Sequence, residues 1–332
     1  MPDVVISENI TGPAMEELRQ RFDVALEPEL WRSPDRLLAL VREARAIIVR
    51  NQTRVTAEVL AAGQRLEIVG RAGAGLDNID TEAATRGGIV VSYAPNENSL
   101  SVAELTLGLM LALARRIPAA DRDTHAGGWN RQQFTGVELS GKTLGIVGLG
   151  RIGRLVAQRA RAFGMTLVAY DPLVDPQSPA VRNLEVRLIG LEELLATADC
   201  VTCHLPLVPA TRALFDYQRF ALMKRTAVFV NASRGEMVDE AGLIRALEEG
   251  RLAGAALDVR ACEPPQRDQL AAMEQVILTP HIGAFTLEAQ DRVVAAVCRD
   301  VTAVLSGEAA ENHANFPRPQ RGTELNPKNH SG

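Results

Sequence analysis

The sequence predicts an α/β protein built on two parallel sheets, and two observations predict it. Short apolar runs alternate with helical patterns along most of the chain, and joining two parallel strands takes a crossover of roughly a dozen residues or more, usually a helix. A glycine-rich run, Gly148-Leu149-Gly150-Arg151-Ile152-Gly153, also falls between one such strand and the helix after it. A length of 332 residues suits two domains of ordinary size, and 46% apolar content is ample for two cores.

The elements follow in order. The first hundred residues offer the strands DVVIS, FDVAL, AIIV, LEIVGRA and GIVVSYA, with helices expected near 13 to 21, 34 to 44 and 56 to 62. SLSVAELTLGLMLALARR, ahead of Pro118, reads as a helix that is apolar on nearly all sides. Such a helix needs two covering surfaces, so a homodimer is expected to use the helix near 101–116 and the loop 117–140. A second α/β set opens at Lys142 with six strands: TLGIVG, TLVAYD, DCVTCH, AVFVNA, GAALDV and QVILTP. The helical stretch 287–305 is expected to cross back to the first domain. The expected division is therefore 1–97 with 284–316, a nucleotide domain at 98–283, and a mobile tail at 317–332.

Composition narrows the partners. A net charge of −5 argues against a broad nucleic-acid surface, and no stretch approaches the roughly 18 apolar residues of a membrane span. MPDVVISENI begins like a strand and lacks a basic segment followed by a long apolar one, so a cytoplasmic location is expected. Cys200 and Cys203 have C-x-x-C spacing, but they lie in a strand-like run and no second pair completes a zinc site. No metal is expected, and the four cysteines read as reduced thiols.

The glycine run gains meaning from its position between strand and helix. Gly148 permits a tight turn, Gly150 allows the backbone to approach a pyrophosphate, and Gly153 allows close packing of helix on strand; the helix start offers free N–H groups, with Arg151 nearby. Asp171, eighteen residues after Gly153, ends the next strand. Its carboxylate can accept hydrogen bonds from both ribose hydroxyls and would repel a 2′-phosphate, which predicts NAD rather than NADP as cofactor. This half of the chain is expected to be Rossmann-like.

Three further residues, Arg234, Glu263 and His281, each follow the end of an apolar strand. In an open parallel sheet, ligands bind beyond the carboxyl ends of the strands, so groups delivered there can converge. Guanidinium binds carboxylate through two parallel charge-assisted hydrogen bonds. Imidazole titrates near neutrality and can move a proton to or from a carbonyl oxygen, and a neighbouring carboxylate stabilises its protonated form. The set suits reduction of a 2-oxo acid or oxidation of a 2-hydroxy acid. Taken singly, each residue could equally be an ordinary surface or strand-end group.

At these residues the chain resembles the D-isomer-specific 2-hydroxyacid dehydrogenases over nearly its full length. The resemblance rests on GKTLGIVGLGRIG with Asp171, HLPLVPAT, VNASRGEMVDE, LDV followed by Glu263-Pro264, and TPHIGA. It implies that Arg234, Glu263 and His281 are catalytic. The implied cofactor site comprises Gly148, Gly150, Arg151, Ile152, Gly153, Asp171, His204, Leu205, Pro206, Thr211, Ala232, Ser233, Arg234, Asp258, His281, Gly283 and Ala284. It further implies two Rossmann-like or flavodoxin-like domains with cofactor and substrate in the cleft between them. IIVRNQTRVTAEVL, VGRAGAGLDNID and NSLSVAELTLGLMLALAR are similar to the subgroup that oxidises 3-phosphoglycerate in serine synthesis. On that likeness Arg50 and Asn51 reach the substrate, Ala74 and Gly75 offer backbone N–H groups, and Arg234 and His281 complete the substrate site. Gln132, Gln133, Phe285 and Arg260 depart from that subgroup, so glyoxylate, hydroxypyruvate or a sulfolactate-type acid stand as alternative substrates. A corepressor-like, NAD-sensing binding protein is the alternative outside enzymes.

Overall fold

Burial on both faces explains why the strands are short, continuous apolar runs: a parallel sheet is covered on each side, so alternation with polar residues disappears. The computed structural model describes residues 2–320. In chain order the first elements are β1 (Val4–Ile6), α1 (Pro13–Arg21), β2 (Val24–Leu26), α2 (Pro34–Val41), β3 (Ala46–Val49), α3 (Ala57–Ala62), β4 (Ile68–Arg71), α4 (Thr81–Arg86) and β5 (Val90–Tyr93). There follow α5 (Ser99–Ala114), α6 (Ile117–His125), β6 (Thr143–Val147), α7 (Arg151–Ala162), β7 (Thr166–Tyr170), α8 (Pro179–Leu184), β8 (Arg187–Leu188), α9 (Leu191–Thr197) and β9 (Cys200–Cys203). The last are α10 (Tyr217–Leu222), β10 (Val228–Asn231), α11 (Glu240–Glu248), β11 (Gly254–Leu257), β12 (Val276–Leu278) and α12 (Leu287–Leu305).

The chain divides into two units, one of residues up to Asn98 together with those from Thr286 onward, the other Ser99–Phe285. The first unit has a parallel sheet of order β2-β1-β3-β4-β5. One face packs on α1 and α12, and Gly70 in β4 makes room for the second: a Cβ there would stand 2.6 Å from Val297. The segment after α12 is tied down by Asp300, which is 1% exposed and accepts from the Ser92 hydroxyl at 2.7 Å and the Glu311 N–H at 2.8 Å. His313 forms an isolated bridge with Ser92 of β5. Of the tail expected to be mobile, residues 321–332 lie outside the described residues, while the Pro317 carbonyl accepts the Ala310 N–H at 2.7 Å and the Gln320 N–H donates to the Gly88 carbonyl at 2.9 Å.

The second unit holds a parallel sheet of order β12-β11-β10-β9-β6-β7-β8. It has seven strands rather than the six expected, because β8 is a two-residue edge strand paired to β7, too short to show any pattern. In this sheet the order reverses between β6 and β9, and in the first sheet between β1 and β3, which places a ligand crevice beyond each of those strand pairs.

The segment expected to be a loop from 117 is also corrected, since α6 occupies its start and contains His125. Pro118 stops α5 in the sequence reading, yet proline is equally suited to the first turn of a new helix; Arg116 at φ 54° makes the break between the two. On α5, Leu100, Glu104 and Gly108 form an exposed stripe at four-residue spacing within this chain, while Val102, Leu107, Leu109 and Met110 are buried. Cys200 and Cys203 enter the cores on opposite faces of the sheet, as residues three apart on a strand must. They cannot share a ligand, and burial pushes their thiols up to about 12 and about 11.

Candidate active site

The cofactor crevice forms where β6 ends. Gly148 turns at φ 99°, and a Cβ there would stand 2.7 Å from the His204 carbonyl carbon, so glycine is required on both conformational and steric grounds. Gly153 lies against the Gly148 carbonyl, where a Cβ would come within 2.1 Å, and Gly150 caps α7 with nothing within 4 Å of its own Cβ position. Ile152 and the exposed Arg151 belong to the first turn of α7. Open space in front of a helix start with no side-chain cap fits a dinucleotide pyrophosphate.

Asp171 stands at the end of β7 and is braced from two sides. Its Oδ2 accepts the Leu149 N–H at 2.8 Å and its Oδ1 the Leu173 N–H at 2.9 Å. Each oxygen retains a lone pair for a hydroxyl, and the bracing fixes the carboxylate against the glycine turn. Across the crevice, His204 follows β9 with both ring nitrogens sequestered and without a hydrogen-bond partner among the described residues, and burial lowers its pKa to about 4. Leu205 and Pro206 continue that loop, which Thr211 staples by donating to the Pro206 carbonyl at 2.7 Å and accepting the Val208 N–H at 2.8 Å.

The next three strand ends carry the predicted catalytic residues. After β10, Asn231 organises the turn through Ala232 and Ser233: its Oδ1 accepts the Ser233 N–H at 3.0 Å and hydroxyl at 2.8 Å, and its Nδ2 donates to the Arg234 carbonyl at 2.9 Å. After β11, Glu263 accepts the Arg260 N–H at 2.9 Å on Oε1 and holds His281 Nδ1 at 2.7 Å on Oε2. Burial pushes the Glu263 carboxyl up, but the hydrogen bonds from His281 and Arg260 and the charges of His281 and Arg234 outweigh it, leaving the group below its ordinary value. The fold thus brings Arg234, Glu263 and His281 into one electrostatically coupled group.

After β12, His281 adopts φ 55°, and Asp258 holds the turn that contains it. The Asp258 carboxylate accepts from the Thr279 hydroxyl at 2.6 Å, the Ile282 N–H at 2.8 Å and the Gly283 N–H at 2.8 Å, and its carbonyl accepts the His281 N–H at 2.8 Å. Asp258 is 1% exposed. Its three carboxylate partners all belong to the loop that runs on to Ala284.

In the first unit, Arg50 and the exposed Asn51 follow β3 at that sheet's own crevice. Arg50 is hydrogen-bonded to Gln290, and burial draws its guanidinium below the usual value, partly offset by Glu8. The loop is clamped on both sides. Glu8, 3% exposed, accepts the N–H groups of Arg50, Gln52 and Thr53 at 2.8, 3.1 and 3.0 Å, while Asn78 donates to the carbonyls of Arg50 and Thr53. The amides of Ala74 and Gly75 donate no hydrogen bond among the described residues. Sequence reasoning missed Arg71, the last residue of β4 and the register partner of Val49, whose guanidinium folds over Gly73. The signal was present, since Arg71 ends the strand beside the one that Arg50 follows.

Comparison with known proteins agrees with this geometry. Residues 107–283 match the family described as D-isomer specific 2-hydroxyacid dehydrogenase, NAD binding domain. The chain is 43% identical over 318 residues to the D-3-phosphoglycerate dehydrogenase of Methanocaldococcus jannaschii, covering 96% of this chain and 60% of that one. It is 46% identical over 318 residues to that of Mycobacterium tuberculosis, covering 95% and 59%. The chain therefore spans about three fifths of the length of these relatives. Among solved structures, the D-lactate dehydrogenase of Aquifex aeolicus complexed with NAD and lactic acid superposes with a TM-score of 0.85 at 26% identity, over 95% of this chain and 99% of that one. Among the described residues no helix is long and apolar enough to cross a membrane. With its glycine turn, braced aspartate and three strand-end groups on a matching NAD-binding domain, this chain belongs to the D-isomer specific 2-hydroxyacid dehydrogenases.

Proposed function

We propose that the chain is an NAD-dependent dehydrogenase that oxidises 3-phosphoglycerate at C2 to 3-phosphohydroxypyruvate. The observation that carries the dehydrogenase reading is the 2.7 Å pairing of His281 with Glu263, coupled to Arg234 at the edge of the NAD-binding sheet. Arg234 binds the substrate carboxylate and fixes its plane. Glu263 accepts from Nδ1, which turns Nε2 toward the substrate hydroxyl; Nε2 removes that proton during oxidation and returns it during reduction. The cofactor, when bound, accepts the hydride that leaves C2. Glu263 stabilises the imidazolium that the proton transfer creates.

The phosphorylated substrate is supported by the likeness to relatives named D-3-phosphoglycerate dehydrogenase and by two cations, Arg50 and Arg71, on neighbouring strand ends of the first unit. Glyoxylate or hydroxypyruvate is the second reading, favoured by the exposed Phe285 four residues after His281 and by glutamine at 132 and 133. A homodimer is part of the proposal, supported by the exposed Leu100, Ile117, Trp129 and Val137; sedimentation at the monomer mass would remove it.

The deciding experiment is oxidation of NADH by the purified protein with 3-phosphohydroxypyruvate, hydroxypyruvate, glyoxylate or sulfopyruvate. A kcat/KM preference of about tenfold or more for the phosphorylated acid, about 1.4 kcal/mol, supports the proposal. Preference for another acid reassigns the substrate, and no turnover on any returns the NAD-sensing binding protein.

A further inference from the structure

Arg260 takes part in none of the steps above, yet its side chain is only 6% exposed. Burying a guanidinium is costly unless its donors are met and its charge is paired. Here Nε and Nη2 form a fork on Glu240, at 2.9 Å to Oε1 and 2.8 Å to Oε2, and Nη2 also bonds Asp268. Glu240, the first residue of α11, accepts the Ala261 N–H on Oε1 as well, at 3.0 Å. One buried cation thus ties the start of α11, the loop after β11 and Asp268 together and fixes the backbone at 260 and 261.

That backbone touches the site in two places. The Arg260 N–H donates to Oε1 of Glu263, whose Oε2 holds His281. The Arg260 carbonyl group presses on Gly235, where a Cβ would stand 1.9 Å from its carbon and 2.1 Å from its oxygen, immediately after Arg234. Both the acid–base pair and the carboxylate-binding arginine therefore rest on this anchored segment. An apolar residue could occupy the volume but would leave two carboxylates without their cation, and lysine would keep the charge without the fork.

We propose that Arg260 is a positioning residue, held by Glu240 and Asp268, that orients Glu263 toward His281 and sets the spacing of that pair from Arg234. The inference rests on the reading of Glu263 and His281 as the acid–base pair. It is tested by following kcat, KM and their pH dependence with 3-phosphohydroxypyruvate and NADH in R260M, R260K and E240Q, with H281A as reference. R260M and E240Q are expected to lose about tenfold or more in kcat, a part of the roughly 10²-fold that a misplacement of about 1 Å costs, and to move the midpoint of the kcat profile. KM for NADH is expected to stay within about twofold, because the cofactor turn lies elsewhere in the sheet. R260K is expected to recover part of the rate.

A folded R260M or E240Q with the parental rate and pH midpoint overturns the inference. E240Q keeps the shape of the side chain, so it carries the test if R260M does not fold. Independently of turnover, the NMR titration of the His281 ring, assigned by its absence in H281A, is expected to move in E240Q; an unmoved titration overturns the inference. Full activity in H281A would bring down the acid–base reading itself, whereas an inactive H281A beside a normal E240Q brings down only the role of Arg260.

Discussion

His281 holds its Nδ1 2.7 Å from Oε2 of Glu263 while its backbone lies at φ 55°, in the left-handed region. A side chain with a Cβ in that region costs about 1–2 kcal/mol. The hydrogen bonds that Asp258 takes from Thr279, Ile282 and Gly283 bracket the turn and offset that cost. Strain held by neighbours at one residue fits a group that must present a single nitrogen in a single direction. His281→Asn is expected to lower kcat by roughly 10² or more, with little change in NADH affinity; steady-state kinetics at an unaltered rate would exclude His281 from proton transfer.

On the proposed reading, Asp171 separates the two cofactors through charge and geometry together. Asp171→Ala removes both the acceptor for the ribose hydroxyls and the repulsion of a 2′-phosphate, so the preference for NADH over NADPH should narrow by about tenfold or more, as loss of a charged hydrogen bond implies. The comparison is of kcat/KM with the two cofactors, and unchanged selectivity would remove Asp171 from ribose recognition.

Arg50 and Arg71 should separate the substrates. Replacing either by alanine is expected to raise KM for 3-phosphohydroxypyruvate about tenfold while changing KM for glyoxylate far less, because only the former carries a distal anion to bind. Equal changes for both acids would mean that neither arginine reads that anion.

His204 predicts an acid sensitivity of the fold. Burial holds its pKa at about 4 against 6.5 in the unfolded chain, so the unfolded state takes up the proton first. The contribution of the neutral ring is complete above about pH 6.5 and is lost as pH falls toward 4, a loss of about 3 kcal/mol in all. Thermal stability should therefore fall between about pH 7.5 and 5 more in the parent than in His204→Asn. Equal weakening would place the sensitivity elsewhere.

Much of the candidate site was legible because its proposed functional groups follow strand ends, and strand ends show in sequence as an apolar run that stops. Arg234, Glu263, His281 and Asp171 all obey that rule. Asn231, Asp258 and Glu8 were less legible in their roles, because each acts through backbone N–H or carbonyl groups of a loop whose path depends on tertiary packing. The same holds for Arg260: its partners, Glu240 and Asp268, lie 20 residues before it and 8 after it, and nothing local announces that the three meet. Among the elements, α6 was hidden because Pro118 serves both to end one helix and to begin another, and β8 because two residues carry no period.

The division of the first unit between the two ends of the chain has a consequence during synthesis. The face of its sheet that α12 covers, including Gly70 against Val297, stays bare while Ser99–Phe285 are being made. At about 5–20 residues per second that interval is roughly 10–40 s, in which the first unit has all five of its strands but not α12. The nascent chain must shield an apolar surface for that time, and the unit whose residues emerge first is the last to close.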